Sequence, residues 1–271
     1  MSKTLAFIGG GNMAGSMIGG LIAKGYPANN LRVSDVLEEN RNRFASRGLT
    51  VSDNNLAVAA GADAVILAVK PQQLREVCTR LAPVLQEHQP LVISIAAGVE
   101  VSAICDWLEY DAAIVRCMPN TPALVQTGAT GLYACAQVSD EQRSLASNIM
   151  DSIGMVLWVS TEDKLHAVTA VSGSGPAYFF LFMEAMISAA QDLGLEADAA
   201  QQLAFQTAAG AAKMALNSDV DVAELRRRVT SPGGTTERAI RVFEERGLRR
   251  ITGEAMEACD RRSRELAEEL K

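Results

Sequence analysis

The 271-residue chain lacks the marks of a secreted, membrane-spanning or metal-binding protein. Its five cysteines are odd in number, widely scattered and never spaced as C-x-x-C, so neither a disulfide framework nor a zinc site is indicated. The most apolar run, Ala177 to Met183, ends at Glu184, well short of the ~20 residues that a spanning helix needs. An ordered pattern begins at Thr4 and leaves no room for a secretion signal. We therefore expect a cytoplasmic protein with no metal and no membrane contact.

Positive charge and histidine are also scarce. The formal net charge is −7, which argues against a nucleic-acid partner, since binding a polyanion requires clustered lysine and arginine. The one basic cluster, Arg226 to Arg228, is typical of a solvated helix face. The two histidines, His88 and His166, lie in polar stretches, and we expect them to be structural or exposed, not catalytic.

The chain divides into two halves with different periodicity. Up to about residue 160, short apolar runs alternate with amphipathic stretches, which predicts βαβ units and a mostly parallel sheet. The predicted strands are Leu5 to Ile8, Leu31 to Val33, Ala64 to Val69, Leu91 to Ile95, Ile114 to Met118, Thr130 to Cys135 and Met155 to Val159. We predict a Rossmann-like α/β domain over residues 1–160.

The second half, residues 161–271, is predicted to be an all-α domain that binds substrate and forms a dimer. The predicted helices are Lys164 to Val171, Ala177 to Asp192, Ala197 to Leu216, Val222 to Val229, Thr236 to Arg246 and Arg249 to Leu270. Small residues over Ala208 to Ala212 allow close helix packing, either within the chain or in a helix-swapped interface. Because so small a helical domain is more easily stabilised by pairing, we expect at least a homodimer.

A glycine turn follows the first predicted strand. Gly9 permits a tight turn, Gly11 lets a pyrophosphate approach the backbone, and Ala14 keeps the next helix close to the strand. The motif alone is weak, but here it occupies the first turn of a serial βαβ region. It therefore predicts a dinucleotide site.

The choice between NADH and NADPH stays open. Ser34 and Asp35 follow the second strand, where an acid usually accepts hydrogen bonds from the ribose 2′-OH and repels a 2′-phosphate. Arg41 and Arg43 lie within one or two helical turns and could instead partner that phosphate.

Further loops fall at strand C-termini, where open α/β sheets bind ligands. Lys70 and Pro71 end one strand, and Ser94 to Gly98 end the next. Met118 to Pro122 follow a third strand and stiffen the backbone with two prolines, as suits the wall of a cleft.

The run Thr230 to Thr236 predicts an anion receptor. Two glycines let the backbone curl, two hydroxyls follow, and the helix that begins there points unpaired N–H groups and a positive dipole end at the curl. Such a concavity binds a carboxylate or phosphate. The alternative is an ordinary helix start, with Ser231 or Thr235 as the N-cap and Glu237 as an early acidic residue.

Taken in order, these motifs resemble those of the pyrroline-5-carboxylate reductase family over residues 4 to about 268. The resemblance rests on the glycine turn, Val69 to Pro71, Ser94 to Gly98, Met118 to Pro122, Ser172 to Tyr178 and Ser231 to Thr236. It implies the last step of proline biosynthesis, in which NAD(P)H delivers hydride to C5 of 1-pyrroline-5-carboxylate and gives L-proline. It also implies a dimer with interleaved helical domains, often gathered into larger rings.

The resemblance also implies functional residues by position. Ser231, Gly234, Thr235 and Thr236 match the segment that holds the substrate carboxylate and ring nitrogen. The cofactor contacts match Ile8, Gly9, Gly10, Gly11, Asn12, Met13, Asn55, Ala68, Val69, Lys70, Pro71, Ile95, Ala96, Ala97 and Glu162. Where the family often has Ser or Thr near the adenosine 2′-phosphate, this chain has Asp35 and Val36.

The chemistry agrees with this interpretation. A protonated cyclic imine accepts hydride readily, so the site needs a hydroxyl for the ring nitrogen and an anion receptor for the carboxylate. Thr236 is our candidate for the hydroxyl, and the backbone N–H groups of Gly233 to Thr236 for the receptor.

Two rival functions share parts of this layout. β-Hydroxyacid dehydrogenases share the two-domain layout, and they resemble one another in placing a lysine just after a Gly-rich segment. In this chain, Gly173 to Leu181 contain no lysine. A non-catalytic dinucleotide sensor would need no substrate receptor, so the run Ser231 to Thr236 argues against it.

Overall fold

The computed structural model describes residues 3–270. The chain forms two compact units, and each is described by itself. The first unit comprises residues 3–174 and 259–270, and the second comprises residues 175–258.

The first unit is built on an eight-stranded sheet. The strands are β1 (Leu5–Ile8), β2 (Leu31–Ser34), β3 (Thr50–Ser52), β4 (Ala64–Leu67), β5 (Leu91–Ser94), β6 (Ile114–Met118), β7 (Gly128–Ala134) and β8 (Gly154–Trp158). Their order is β3-β2-β1-β4-β5-β6-β7-β8, and only the β6–β7 pair is antiparallel. The prediction of a mostly parallel Rossmann-like sheet is confirmed. The strand order reverses between β1 and β4, since β2 and β3 extend to one side of β1 and the later strands extend to the other. Ligands of such sheets bind at this switch point, beyond the carboxyl ends of the strands.

Helices cover both faces of the sheet. They are α1 (Asn12–Ala23), α2 (Glu38–Ala45), α3 (Asn55–Ala59), α4 (Pro71–His88), α5 (Val101–Leu108), α6 (Asp140–Asp151) and α7 (Lys164–Val168). On one face, α1, α2 and α6 bury Met17, Phe44 and Ile149. On the other, α3, α4 and α5 bury apolar side chains that include Leu74 and Ile104. Because both faces are covered, β1, β4 and β5 are fully buried and read as continuous apolar runs.

The remaining helices follow the π-helix at Thr169–Gly173. They are α8 (Gly175–Asp192), α9 (Ala197–Leu216), α10 (Val222–Arg228), α11 (Thr235–Glu245) and α12 (Leu248–Glu269), and α12 passes from the second unit into the first. The predicted helical segments are therefore present, with ends that differ by one or two residues. The exception is the predicted helix Lys164 to Val171, whose last turn is π-helical.

The sequence patterns did not predict two features of the first unit, β3 and the π-helix. β3 has only three residues, too few for a period-2 pattern to emerge. The π-helix has no distinctive composition, and its wider turn arises from packing. Gly173 lies close to the loop after β6, since a Cβ on it would lie 2.7 Å from Met118 Cε.

The second unit leaves large apolar side chains exposed. Phe179, Phe180 and Leu181 on α8 are 68%, 64% and 67% exposed. On α9, a Cβ on Gly210 would meet no atom within 4 Å, and Ala209, Ala211 and Ala212 are exposed. Exposed apolar surface of this extent marks an interface with another molecule. Between residues 3 and 270, no helix has the length and apolar character needed to cross a membrane.

Candidate active site

The glycine turn has the geometry that a dinucleotide requires. Gly9 adopts φ +100°, and a Cβ there would lie 2.7 Å from Ala68 O, so only glycine fits. Gly11 is the N-cap of α1, and a Cβ on it would meet no atom within 4 Å. The backbone at the start of α1 is therefore open, and its first N–H groups and positive dipole end can receive a pyrophosphate.

A cavity of about 470 Å³ lies at this turn. Eight of the predicted cofactor residues line it, and they come from four separate segments of the chain. They are Gly9, Gly11, Ser34, Asp35, Asn55, Ala68, Val69 and Lys70. The carboxyl ends of β1, β2 and β4 thus bring together residues up to about 60 positions apart, as the sheet order requires.

The other predicted cofactor residues do not line this cavity. Some flank it in the chain, and Glu162 lies elsewhere, in an ion pair with Arg116. The set comprises Ile8, Gly10, Asn12, Met13, Pro71, Ile95, Ala96, Ala97 and Glu162. Ile95 remains close to the cavity rim, since its N–H donates to Leu67 O at 3.3 Å, next to Ala68.

The sequence patterns missed one wall of the cavity. It is formed by α4, whose residues Gln73, Glu76, Val77 and Arg80 follow the spacing of one helix face. That spacing, directly after Lys70 at the predicted strand end, was the signal that could have identified them.

The Asp35 carboxylate holds the glycine turn. It accepts hydrogen bonds from Gly10 N–H at 2.7 Å and from Asn40 Nδ2 at 3.1 Å through one oxygen. The other oxygen accepts from Leu37 N–H at 2.8 Å. Each oxygen of a carboxylate has two lone pairs, so one position on Asp35 Oδ1 remains for a ribose hydroxyl.

Arg41 and Arg43 already hold backbone carbonyls. Arg41 Nη1 donates to Asp35 O at 2.7 Å and to Val36 O at 3.0 Å, and Arg43 Nη2 donates to Gly10 O at 2.6 Å. Both guanidinium groups therefore brace the loops beside the cavity. A role of either group toward a phosphate would use its other N–H groups.

The loop after β6 is tied to the π-helix. Asn120 is buried, its Oδ1 accepts from Ala129 N–H at 2.8 Å, and its Nδ2 donates to Ser172 O at 3.0 Å. The stiff wall predicted from Met118 to Pro122 is thus anchored by an amide side chain as well as by its prolines.

The predicted anion receptor lies in the second unit, at the start of α11. Gly233 adopts φ +73°, and Gly234 N–H donates to Ser231 O at 3.0 Å, which closes the curl. Gly234 is the N-cap, so the alternative with Ser231 or Thr235 as the cap is wrong. Thr235 and Thr236 open the helix, where N–H groups have no intrahelical acceptor.

Glu237 takes part in this curl. Its carboxylate Oε2 accepts from Gly233 N–H at 2.8 Å. The loop therefore already binds a carboxylate, the one that this chain supplies, while the Thr236 side chain is half-buried beside it. One predicted receptor donor, Gly233 N–H, is occupied in this arrangement.

Neither histidine lies at the cavity or the receptor. His166 is buried in the first unit, and its Nδ1 lies 2.9 Å from Ser263 Oγ. Burial lowers the pKa of His166 from its usual value, and the positive charges of Arg264 and Arg116 lower it further. His88 is the last residue of α4. In the described part of the chain, no group of three or more His, Cys, Asp or Glu residues could hold a metal ion.

The doubly wound sheet and the glycine-turn cavity define a dinucleotide-binding protein. Residues 162–266 match the family model described as pyrroline-5-carboxylate reductase dimerisation, and residues 4–98 match the model described as NADP oxidoreductase, coenzyme F420-dependent. A pyrroline-5-carboxylate reductase of Pseudomonas aeruginosa is 51% identical over 98% of this chain and 97% of its own length. The chain belongs to the pyrroline-5-carboxylate reductase family, whose members are NAD(P)H-dependent oxidoreductases.

Solved structures agree with this assignment. The pyrroline-5-carboxylate reductase of Coxiella burnetii is similar with a TM-score of 0.95 and 46% identity, covering 98% of this chain and 99% of that one. The Plasmodium falciparum pyrroline carboxylate reductase with NADP bound has a TM-score of 0.86 and 28% identity, covering 98% of each chain. The dimerisation model thus covers residues 162–266, and the chain forms a homodimer.

Proposed function

We propose that the chain reduces 1-pyrroline-5-carboxylate to L-proline and that residues Ser231, Gly233, Gly234, Thr235 and Thr236 bind the substrate. The observation that carries the residue assignment is the curl before α11. There Gly233 adopts a positive φ, its N–H donates to the Glu237 carboxylate, and the first N–H groups of α11 have no intrahelical acceptor. The substrate carries a carboxylate next to a ring whose imine carbon, C5, must accept hydride.

The receptor orients the substrate. The N–H groups of Thr235 and Thr236 bind the carboxylate oxygens, and the dipole of α11 stabilises their negative charge. The hydroxyl of Thr236, in the first turn of the same helix, binds the ring nitrogen and keeps the protonated imine in one orientation. Fixing the ring in this way removes most of the rotational freedom that would oppose hydride transfer.

The cofactor residues fit a nicotinamide dinucleotide. The open backbone at Gly11 receives the pyrophosphate, Asp35 receives the adenosine ribose, and Ala68 to Lys70 line the continuing cavity. When bound, the reduced nicotinamide supplies hydride to C5 of the imine. The ring nitrogen keeps its proton, so the product is the secondary amine of proline, and no strong acid is needed at the site.

The rival activity has less support. A β-hydroxyacid dehydrogenase needs a basic side chain to remove the alcohol proton, and α8 contains no lysine. A dinucleotide sensor would have no use for a carboxylate receptor. We also propose that the enzyme works in the reducing cytoplasm, since all five cysteines are free thiols. The functional division into residues 1–160 and 161–271 is part of the same proposal.

The test is a steady-state assay that follows NADH or NADPH oxidation with 1-pyrroline-5-carboxylate as the acceptor. We expect oxidation that depends on the substrate and yields proline stoichiometrically. Parallel reactions with NAD⁺ or NADP⁺ and a β-hydroxyacid test the rival. Oxidation no faster than in the substrate-free blank, with active β-hydroxyacid turnover, would overturn the proposal.

A further inference from the structure

Glu162 occupies an unusual place for a residue that matches a cofactor contact. It follows β8 and lies outside the cavity, and its side chain is 26% exposed. Its Oε1 accepts a hydrogen bond from Arg116 Nη1 at 2.5 Å, and the Arg116 side chain on β6 is 7% exposed. The same Oε1 accepts from Val101 N–H at 2.8 Å. One carboxylate oxygen thus joins three segments of the first unit.

The bond to Val101 caps a helix. Val101 is the first residue of α5, where backbone N–H groups have no acceptor within the helix. A negative charge at that end is also stabilised by the helix dipole. Glu162 therefore fixes the start of α5, although it is 61 residues away along the chain.

What precedes α5 is the loop predicted to contact the cofactor. Ile95, Ala96 and Ala97 follow β5, and Ile95 N–H is bonded to Leu67 O beside the cavity. Residues 95–100 thus span from the end of β5 to Val101. β5 holds the loop at one end, and the Glu162 carboxylate holds it at the other.

We propose that Glu162 is a positioning residue for dinucleotide binding, which acts by capping α5 and so fixing the loop Ile95 to Ala97, without contacting the cofactor itself. The inference rests on the proposed function and on the cofactor contact that the family resemblance implies for that loop. Arg116 orients the Glu162 carboxylate through the hydrogen bond to Oε1, so it belongs to the same arrangement. The negative charge of Glu162 pairs with Arg116, whereas the cap on α5 needs only an oxygen acceptor for Val101 N–H.

That distinction gives the test. Removing one partner would leave a buried charge unpaired and destabilise the protein for an unrelated reason, so both are changed together. Arg116→Met with Glu162→Gln removes both charges and keeps an oxygen acceptor for Val101 N–H. Arg116→Met with Glu162→Leu removes the charges and the acceptor. These two double variants, the Gln pair and the Leu pair, differ in the hydrogen bond to Val101 N–H.

NADH and NADPH dissociation constants are measured by fluorescence titration without substrate, together with amide hydrogen exchange over residues 95–103. We expect the Gln pair to bind cofactor within about threefold of the unmodified protein. The Leu pair should bind about tenfold more weakly, with faster exchange at Val101. Equal loss in both pairs would mean that the carboxylate contacts the cofactor, and equal retention would mean that the cap is not needed. Either result overturns the proposal.

Circular dichroism and thermal melting first establish that both pairs fold. If either does not, Glu162→Gln and Glu162→Leu are compared in the protein that keeps Arg116, since both leave that charge without its counter-ion and they differ in the acceptor for Val101 N–H. Cofactor affinity about tenfold weaker in Glu162→Leu than in Glu162→Gln supports the proposal, and equal affinities contradict it. These readouts do not involve the imine substrate, so they stand even if the proposed reaction fails.

Discussion

The Asp35 carboxylate accepts a hydrogen bond from Gly10 N–H at 2.7 Å, so the acid at the end of β2 is part of the glycine turn. The side chain that we propose receives the adenosine ribose is therefore bonded to the loop that we propose receives the pyrophosphate. We expect a change at Asp35 to alter cofactor selection and turn geometry together.

Asp35→Ser should shift coenzyme preference toward NADPH. The substitution removes a negative charge that repels the 2′-phosphate and an acceptor for the ribose 2′-OH of NADH. We expect the ratio of kcat/KM for NADPH to that for NADH to rise about tenfold, and kcat/KM for NADH to fall because Gly10 is released. Asn40→Ala is the control, since it removes one partner of Asp35 and leaves the charge. An unchanged ratio in Asp35→Ser would remove Asp35 from coenzyme selection.

Thr236→Ala should lower turnover of 1-pyrroline-5-carboxylate. The loss of a hydrogen bond to a charged ring nitrogen corresponds to a fall in kcat of about 10- to 100-fold. Cofactor affinity should stay within a few-fold, because Thr236 lies in the second unit and outside the dinucleotide cavity. Thr236→Ser keeps the hydroxyl and should retain most activity. If Thr236→Ala turns over normally, the role proposed for this hydroxyl is wrong.

Glu237 provides a test of the carboxylate receptor. Glu237→Gln keeps an acceptor for Gly233 N–H but removes a negative charge beside the bound substrate carboxylate, so KM should fall roughly two- to fivefold at low salt. Added salt should reduce the difference. Glu245→Gln, at the other end of the same helix, is the matched control, and an equal response there would point to net charge alone.

The stability of the protein should depend on His166 below about pH 6.5. The folded-state pKa of His166 is lowered, chiefly by burial, so the unfolded chain binds the proton more tightly than the folded one. The contribution of His166 to the free energy of unfolding is therefore complete above the unfolded pKa and is lost as the pH falls toward the folded pKa.

His166→Gln removes this titration and can keep a hydrogen bond to Ser263. Urea unfolding at about pH 7.5 and about pH 5.5 should show a larger loss of stability for the unmodified protein than for the variant. The difference between the two proteins is the quantity to compare, since the charges of Arg264, Arg116, Asp163 and Asp260 surround this position in both. Parallel losses would exclude His166 as the source.

Local patterns in the sequence predicted most of the first unit. The strands Leu5–Ile8 and Leu91–Ser94 stand out because they are buried on both faces, and their apolar runs report that burial directly. Gly9 and Gly11 could be assigned because their requirements are those of the backbone itself. Three-residue β3 gave no periodic signal, and the cavity wall on α4 was overlooked although its spacing was present.

The sequence by itself determined the α/β half, the helical half, the glycine turn and the glycine-rich curl before α11, since each depends on neighbours within a few residues. Only the tertiary structure decided which distant polar groups meet. Asp35 pairs with Gly10 across 25 residues, and Glu162 pairs with Val101 across 61. The order of the strands sets these pairings. Periodicity reports which residues are buried, but it carries no information on which strand lies beside which.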